Sequence, residues 1–518
     1  MVKQQMREDP HVTMSLDIAG SPGDMQVIGV NGQDRLNAPF CFDVDIVTWD
    51  ATFDGNSLLQ REAWLTFGVD TDNDCGVHGQ VYSVRRLHRG VDLTLYRVRL
   101  MPALQRLGAS VRRRSHNGLT VPQIIARLLD HHGVAQQAFR FDPLIGVYPA
   151  REHCVQYDES DLQLLCRLCE EEGISFRFEQ QRDGHCLVFS DDPAAFPERP
   201  TALHPEHLVE RLSVQTCHSS HAGERYAPDG VAAPAGHDGA DNQPSWPGND
   251  ARENHRHCQQ RSGRNLERLR CERRDIRGRS DQGWLRSGQV IRVEGQPDAL
   301  LNDHWLLTHV RHCAKQLAPL KDCPSSDAIG ILQAISVANR DWPQAASELP
   351  LLASYSNHFR VIPWTMPFRP SVKHHRPVVL ETLLATQTAE LADPLGRVKI
   401  RYDWQPQSPV DHELDSWASV VGSLGQHRAG TRLRIRFFEG DPDQPLACGT
   451  LGDGQDTARV IRVLQADSAA YEPAAPSVQL GVDEQLRVDS AAPLLLRSAR
   501  ATLRITEDGI LCALRKRP

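Results

Sequence analysis

The sequence REHCVQYDESDLQLLCRLCEEEGISFRF, residues 151–178, holds a helix start, a helix and a strand in close succession. Ser160 stands three positions before Gln163, a spacing typical of a capping box at a helix N-terminus. Gly173 can end the helix, because glycine adopts the left-handed conformation of a C-cap without strain. The expected core face of this helix consists of Leu164, Leu165 and Leu168.

A strand and a hairpin are predicted directly after this helix. Apolar residues alternate at Ile174, Phe176 and Phe178, which indicates a strand with one buried face. The dipeptide Asp183-Gly184 favours a tight turn, so Leu187–Phe189 is expected to pair back on that strand.

An earlier helix completes the same unit. Thr120 can act as its N-cap, and Pro122 falls in the first turn, where a missing N–H is tolerated. Gly133 can end it. We therefore predict an α/β unit over about residues 110–207, inserted between β-rich regions.

The β-rich regions on both sides consist of short alternating runs. Residues 26–30 begin such a run, and Asn31-Gly32 is expected to turn the chain. Polar and apolar positions are about equally frequent, which predicts that one face of the sheet is solvated. Strands resume at 288–293 and 305–310, so residues 12–365 are predicted to form two barrel-like lobes around the inserted unit.

Two further β segments follow. In residues 372–455, alternation over Val398–Tyr402 and Leu433–Phe437 suits a small five-stranded barrel of the oligonucleotide/oligosaccharide-binding (OB) type. A linker is predicted at 456–477, and short alternating runs fill 478–518. Because so few strands cannot bury an apolar face alone, the tail is expected to need partner strands, as in a trimeric β-prism.

Composition places the chain among ordinary globular proteins. It has 518 residues, 40% hydrophobic and 24% charged, with a formal net charge of −8, whereas a dedicated nucleic-acid binder usually has a basic excess. The N-terminus has no apolar signal region and no run is long enough for a membrane helix. Thirteen irregularly spaced cysteines favour free thiols in a reducing cytoplasm over a disulfide framework.

The order of several motifs resembles one family. Residues 151–162 and 167–176 resemble a signature of the Vgr spike proteins, the trimeric tip proteins of type VI secretion, which are similar to the fused hub and spike of contractile phage tails. Four further stretches resemble the family's hub end, its hub–barrel junction and two barrel motifs: Leu301–Val310, Phe359–Pro370, Gly396–Trp404 and Phe438–Leu446.

This resemblance implies a structural function. The chain would have a mainly β fold with an α/β insertion: a hub domain at 12–365, an OB-type barrel at 372–455 and a short spike segment at 478–518. It would form a homotrimer, cap a hexameric Hcp-type tube, and bind baseplate components, a PAAR-type cap and a cargo effector or adaptor. It would assemble in the bacterial cytoplasm and then be delivered into target cells. Most family members continue into a long β-needle, whereas this tail predicts a short one.

Four patterns resemble metal sites, and none has the required ligand spacing. Asp70–Gly76 resembles a calcium loop but has Cys75 at the glycine position. Cys166 and Cys169 form a single CxxC on a predicted helix, which favours buried thiols, although neighbouring His153-Cys154 leaves zinc open. The remaining two patterns are His255, His257 and Cys258 with Cys271, and the adjacent pair His374-His375.

No catalytic motif is present, and we assign no catalytic, cofactor-binding or metal residue. The acids Glu170–Glu172 and Asp191-Asp192 are expected to be solvated, because consecutive acids on a helix point in different directions. An effector enzyme on a phage-like hub, such as a cell-wall hydrolase, remains an alternative, since catalytic groups assemble from distant positions.

A nucleic-acid-binding OB protein is the other alternative. Arginines between Arg252 and Arg279 are interleaved with acids, which favours a salt-bridged surface or subunit interface, with Trp284 as the nearby aromatic. The exposed basic residues of the small barrel would be the site: Lys399, Arg401, Arg432, Arg434 and Arg436. We expect no nucleic acid among the partners.

Overall fold

The computed structural model describes residues 12–21, 25–50, 52–69, 76–216, 251–321, 323–339, 354–390, 392–405, 415–421, 428–451, 477–480, 486–489, 494–497, 501–506 and 509–514. Within these ranges the chain is mainly β, as predicted. None of the helices in these ranges is long and apolar enough to cross a lipid bilayer.

The N-terminal region forms six antiparallel strands. They are β1 (Val12–Ile18), β2 (Met25–Arg35), β3 (Cys41–Thr48), β4 (Glu62–Val69), β5 (Gly76–Arg89) and β6 (Thr94–Met101). Side by side, they lie in the order β1-β4-β5-β6-β3-β2. The prediction of strands here is confirmed.

The expected turn at Asn31-Gly32 is wrong, because β2 runs straight through both residues. Gly32 lies opposite Phe42 in the β2–β3 pairing. A Cβ atom at Gly32 would lie 2.1 Å from the Phe42 ring. The glycine therefore makes room for an aromatic ring inside the sheet, and it does not mark a turn.

The inserted unit follows this sheet and contains the two predicted helices and the predicted hairpin, together with three strands that were not predicted. Its elements are β7 (Val111–Ser115), α1 (Val121–His131), β8 (Phe139–Phe141), β9 (Val155–Ser160), α2 (Asp161–Glu172), β10 (Ser175–Gln181) and β11 (Gly184–Ser190). The predicted capping box at Ser160 with Gln163 is confirmed, and the predicted N-cap Thr120 forms a second capping box with Gln123. Gly173 ends α2 with a φ of 70°, in the left-handed region. The three predicted core leucines of α2 are fully buried.

The chain then returns to the first sheet. The elements are β12 (Leu208–Thr216), α3 (Ala251–Arg273), β13 (Arg274–Ser280), β14 (Val290–Arg292), β15 (His304–Lys315), α4 (Ser325–Ala338) and β16 (Ser354–Pro363). The sheet continues from β2 as β15-β16-β13-β12, and β14 pairs with β15. Helices α3 and α4 were not predicted from the sequence.

Helix α4 corrects the expectation of one solvated sheet face. In β3, Asp45 is fully buried and forms a two-point ion pair with Arg97 at 2.8 Å. The Arg97 guanidinium also donates to the Ala338 carbonyl at the end of α4. Part of the second face is therefore covered by α4, whereas Arg99 of β6, paired with Asp43, keeps its side chain 44% exposed.

Several hydrophobic clusters lie on this one sheet, and two of them are the largest. The larger joins the N-terminal strands to the inserted unit, where Phe40 and Phe178 pack edge to face with ring centroids 5.0 Å apart. The second lies around Trp305, Leu307 and Phe359. The division of residues 12–365 into two barrel-like lobes stays a prediction.

A closed five-stranded barrel follows, as predicted. Its strands are β17 (Leu383–Gln387), β18 (Val398–Tyr402), β19 (Ser416–Val420), β20 (Arg432–Phe437) and β21 (Pro445–Thr450). They close in the order β17-β18-β19-β21-β20. The barrel core includes Ile400, Tyr402 and Ile435, all fully buried.

The tail consists of short strands, which confirms that part of the prediction. They are β22 (Ser477–Leu480), β23 (Leu486–Asp489), β24 (Leu494–Arg497), β25 (Ala501–Thr506) and β26 (Gly509–Leu514). Strands β22 and β23 pair with each other, and β24, β25 and β26 form a separate antiparallel sheet. The proposed domain boundaries, the linker and the trimeric prism stay predictions.

Candidate functional site

The three acids at the end of α2 are buried, which corrects the prediction that they are solvated. Glu170 and Glu172 are 2% and 1% exposed, and the Glu171 side chain is 8% exposed. They do point in different directions, as expected. Each one reaches a different part of the chain, so the end of α2 is the centre of a buried charge network.

Glu171 binds three arginines, one from its own helix and two from other segments. Its carboxylate accepts from Arg151 at 2.8 Å, from Arg167 at 3.2 Å and from Arg376 at 2.9 Å. Burial alone would raise the pKa of Glu171, but the three guanidinium groups outweigh it and hold this pKa well below its usual range. Glu171 is therefore a fixed negative charge and not a proton donor.

Glu172 and Glu170 connect α2 to α3 and to the segment before the barrel. Glu172 pairs with Arg151 at 2.7 Å and with His257 of α3 at 2.7 Å. Burial opposes its ionisation, yet these partners bring the pKa of Glu172 down to about 2. Glu170 accepts from the His374 ring at 2.8 Å and from the backbone N–H groups of Lys373 and His374.

Ion pairs and hydrogen bonds join the inserted unit and the junction segment to the barrel. The Val155 N–H donates to Asp443 at 2.7 Å, and Glu152 pairs with Arg397 at 2.5 Å. Arg376, already bound to Glu171, also contacts Asp441 at 3.2 Å. Burial, opposed in part by Arg376, raises the pKa of Asp443 to about 6.

Arginines of α3 and of the segment before the barrel contact the other side of α2. Arg264 is 6% exposed and donates to Asp191, to the Tyr148 hydroxyl at 2.9 Å and to the Glu172 carbonyl at 2.5 Å. Arg369 donates to the Gly173 carbonyl at 3.1 Å and pairs with Glu267 at 2.7 Å. Arg264 is thus part of an internal clamp on α2, and for this residue the prediction of a salt-bridged surface is wrong.

Asp191 also differs from its predicted solvated state, being 1% exposed. Burial would raise its pKa, but hydrogen bonds from Tyr148, from two backbone N–H groups and the Arg264 charge lower it. Asp192 has an ordinary structural function, since its carboxylate accepts from the Ala194 N–H at a short helical turn.

The predicted metal-like patterns do not assemble in the described residues. His257 is ion-paired, Cys271 donates to the Pro367 carbonyl at 3.0 Å, and Cys258 is exposed. Cys166 and Cys169 are buried thiols, and burial raises the pKa of Cys166 to about 12. The calcium-like stretch at 70–75 lies outside the described residues.

His131, His132 and Asp161 do lie close enough together to hold an ion. His132 is already bound to Asp161 at 2.6 Å. Two guanidinium groups, of Arg112 and Arg114, lie 3.2 Å and 3.0 Å from the Nε2 atom of His131. Positive charge at this distance disfavours a cation, so we assign no metal here.

Comparison with known proteins identifies the family of this chain. The family model of the phage tail baseplate hub (GPD) matches residues 33–318. The chain belongs to the phage tail baseplate hub family. The predicted resemblance is confirmed, and the motifs that carry it meet at the charge network: the 151–162 signature, the 359–370 junction and both barrel motifs.

Curated relatives of this hub protein are spike proteins of type VI secretion. It is 35% identical over 480 residues to the spike protein VgrG4b of Pseudomonas aeruginosa, covering 85% of this chain and 56% of that protein. It is 34% identical over 472 residues to VgrG5 of the same organism, covering 84% and 57%. The chain thus spans about half the length of the curated relatives it matches.

Solved structures share the fold of this hub protein. The Escherichia coli c3393 protein, described as a type VI secretion component similar to the T4 tail proteins gp27 and gp5, matches with a TM-score of 0.61 at 23% identity. The match covers 84% of this chain and 100% of the c3393 chain. A Francisella PdpA-VgrG complex matches with a TM-score of 0.51 at 6% identity, covering 98% and 80%.

The basic residues of the barrel do not form one binding surface in this hub protein. Arg401 is buried and pairs with Asp415 at 2.7 Å, and Arg432 pairs with Asp403 at 2.5 Å. Two of the five candidate cations are therefore neutralised within the barrel. This pairing weakens the nucleic-acid interpretation.

The charge network suits mechanical coupling better than catalysis. A general acid or base needs a pKa near the working pH and a reachable substrate. Glu171 and Glu172 are buried, ionised and occupied by arginines. Because the network binds α2 to α3, to residues 369–376 and to the barrel, it fixes how the barrel is seated on the inserted unit.

These contacts are not among the predictions made from the sequence. Arg369 and Arg376 lie in or beside the junction motif, and Asp441-Pro442 and Asp443-Gln444-Pro445 have the composition of a tight turn. The turn role is correct, because Asp441 accepts from the Asp443 N–H at 3.0 Å. The signal in the sequence that could have indicated these contacts is the high number of charged residues inside the motifs. A turn alone does not require so many charges.

Proposed function

We propose that this hub protein is the structural tip of a contractile type VI secretion machine. Three copies cap the tube, and the assembly carries effectors through target membranes. The observation that carries this proposal is the match to spike proteins over 85% of the chain. The buried network supports it, because a tip under load needs its barrel fixed to its hub.

The proposed partners follow from the same assignment. A homotrimer presents a sixfold-like ring to a hexameric Hcp-type tube, and baseplate components, a PAAR-type cap and a cargo effector or adaptor complete the tip. Assembly takes place in the bacterial cytoplasm, and delivery takes the protein into the target cell. A solved PdpA-VgrG complex supports the general idea of a partner bound to such a spike.

The decisive experiment measures mass in solution by light scattering. The full chain of 57.9 kDa is expected to run as a trimer of about 174 kDa. Deleting 478–518 is expected to reduce the trimer, because the tail strands need partner strands. Deleting only 515–518 is the control, since it retains all five tail strands. A monomeric full-length chain under all conditions would contradict the proposal.

We also propose that the chain itself is not an enzyme. Its family is a structural hub, although one relative, at 24% identity, is described as the actin cross-linking toxin VgrG1 of Vibrio cholerae. Release of soluble fragments from peptidoglycan by the purified chain would support the hydrolase alternative instead. A mobility shift of nucleic acid at low salt would support the OB-type binding alternative.

A further inference from the structure

A cleft of about 550 Å³ lies beside the charge network and has no assigned function. Its floor is formed by β2, β15 and β16, and its walls are the end of α3 and residues 368–373. The floor carries the basic residues Arg35, His309, Arg311 and Arg360, and Lys373 lies on a wall.

The strand register places these basic residues side by side. His309 of β15 is directly opposite Arg35 of β2 on one side and Arg360 of β16 on the other. Arg311 is two residues further along β15 and so faces the same way. The guanidinium groups of Arg35, Arg311 and Arg360 surround His309, and their mutual repulsion has an energetic cost in the isolated chain.

Internal acids do not offset this row. Within the described ranges, Arg35, Arg311 and Arg360 have no ion pair. The Nε atom of Arg311 and the Nε2 atom of His309 are buried without a hydrogen-bond partner. Two acids line the cleft: Glu170 is bound to His374, and Glu272 is exposed at the end of α3.

The electrostatics of the row agree with its geometry. Burial first, and then the charges of Arg311, Arg360, Arg35 and Lys373, lower the pKa of His309 to about 4. Burial and the Arg360 charge also lower the pKa of Arg311. Positive charge is therefore crowded in this cleft, although the whole chain carries a net charge of −8.

We propose that this cleft is a docking site for an acidic segment of a partner polypeptide. Arg35 and Arg360 lie two strands apart, about 10 Å at the backbone, and Arg311 lies about 7 Å further along. One small anion cannot span these positions, whereas an extended peptide with a carboxylate at every second residue can. The proposal rests on the spacing and charge of these residues and does not require the spike function.

The test measures binding of a fluorescein-labelled peptide with three Glu-Ser repeats to the full chain, by fluorescence anisotropy. The same peptide with glutamine in place of glutamate is the probe control, and inorganic phosphate is the competitor. Arg35→Ala/Arg360→Ala is the test variant. The matched control is Arg292→Ala, which removes an exposed arginine of the same hub that is paired with Glu294 at 2.9 Å.

We expect the Glu peptide to bind, the Gln peptide not to bind, and added salt to weaken binding. The double variant should raise Kd by about 25-fold, at about fivefold for each arginine. Arg292→Ala should leave Kd unchanged. Equal Kd values for Arg292→Ala and the double variant would overturn the proposal. Full displacement of the peptide by phosphate at the same concentration as the peptide would also overturn it.

A stability measurement separates docking from a structural role. Arg360→Gln removes one of the mutually repelling charges, so it should raise the thermal unfolding midpoint of the free protein while weakening peptide binding. A lower midpoint together with unchanged binding would mean that Arg360 supports the fold. Self-association lost in the double variant would instead assign the cleft to a second copy of this chain, which contradicts the proposal.

Discussion

Arg167 is the place where the charge network can be tested most directly. Its side chain is 1% exposed and donates to Glu159 at 2.5 Å and to Glu171 at 3.2 Å. Arg167→Met keeps an unbranched apolar stem and removes the guanidinium group. It leaves Glu159, which is 9% exposed at the side chain, without its arginine.

The expected magnitude follows from this burial. Removing one partner of a buried ion pair leaves an uncompensated charge, and this costs about 3–5 kcal/mol. An exposed pair is worth less than about 1 kcal/mol, because water solvates the remaining partner. The matched control is Arg432→Met in the barrel, whose pair with Asp403 is also 2.5 Å long but is 44% and 39% exposed.

Thermal unfolding followed by circular dichroism measures the difference. At about 2–4 °C per kcal/mol for a unit of this size, Arg167→Met should lower the midpoint by about 6–20 °C. The control should lower it by no more than about 4 °C. Adding Glu159→Gln to Arg167→Met should recover part of the loss, because the stranded charge is gone. Equal midpoints for the two single variants would refute the idea of a buried network.

Two further perturbations test the pH response and the packing. Since Asp443 has a pKa of about 6 when folded against an ordinary 3.8, its contribution to stability falls as pH rises between about 4 and 6. The unfolding midpoint of Asp443→Asn minus that of wild type should therefore increase as pH rises across that window and stay constant above pH 7. A difference that does not change from pH 4 to 7 would contradict this pKa. Gly32→Ala should cost about 1–3 kcal/mol by urea unfolding, because its Cβ would overlap the Phe42 ring. Gly263→Ala, in an open position of α3, should instead add about 0.5–1 kcal/mol, and the same sign for both glycines would contradict the packing argument.

The helices that could be predicted are those with local signals. Thr120 and Ser160 each start a helix with a capping box, and an apolar stripe follows within a few residues. Helix α3 has no such stripe, because its buried positions are occupied by arginines such as Arg264. A helix that buries charged groups in place of apolar ones shows no regular spacing of apolar residues. It therefore cannot be predicted from hydrophobic periodicity.

The charge network could not be predicted for a different reason. Glu171 and Arg376 are 205 positions apart, and nothing local to either residue indicates the other. Consecutive glutamates usually lie in water, since burying a charge is costly without a partner. Here the partners come from four separate segments of the chain, so the burial of these acids becomes visible only in three dimensions.

The position of Arg376 has a consequence for exchanging parts between related hubs. It contacts Glu171 of the inserted unit and Asp441 of the barrel, and so belongs to both. A chimaera cut on either side of residue 376 brings together an arginine and carboxylates that come from different parents. Transplanted barrels should therefore be accepted only from donors that match these three side chains, whatever the similarity of the rest of the barrel.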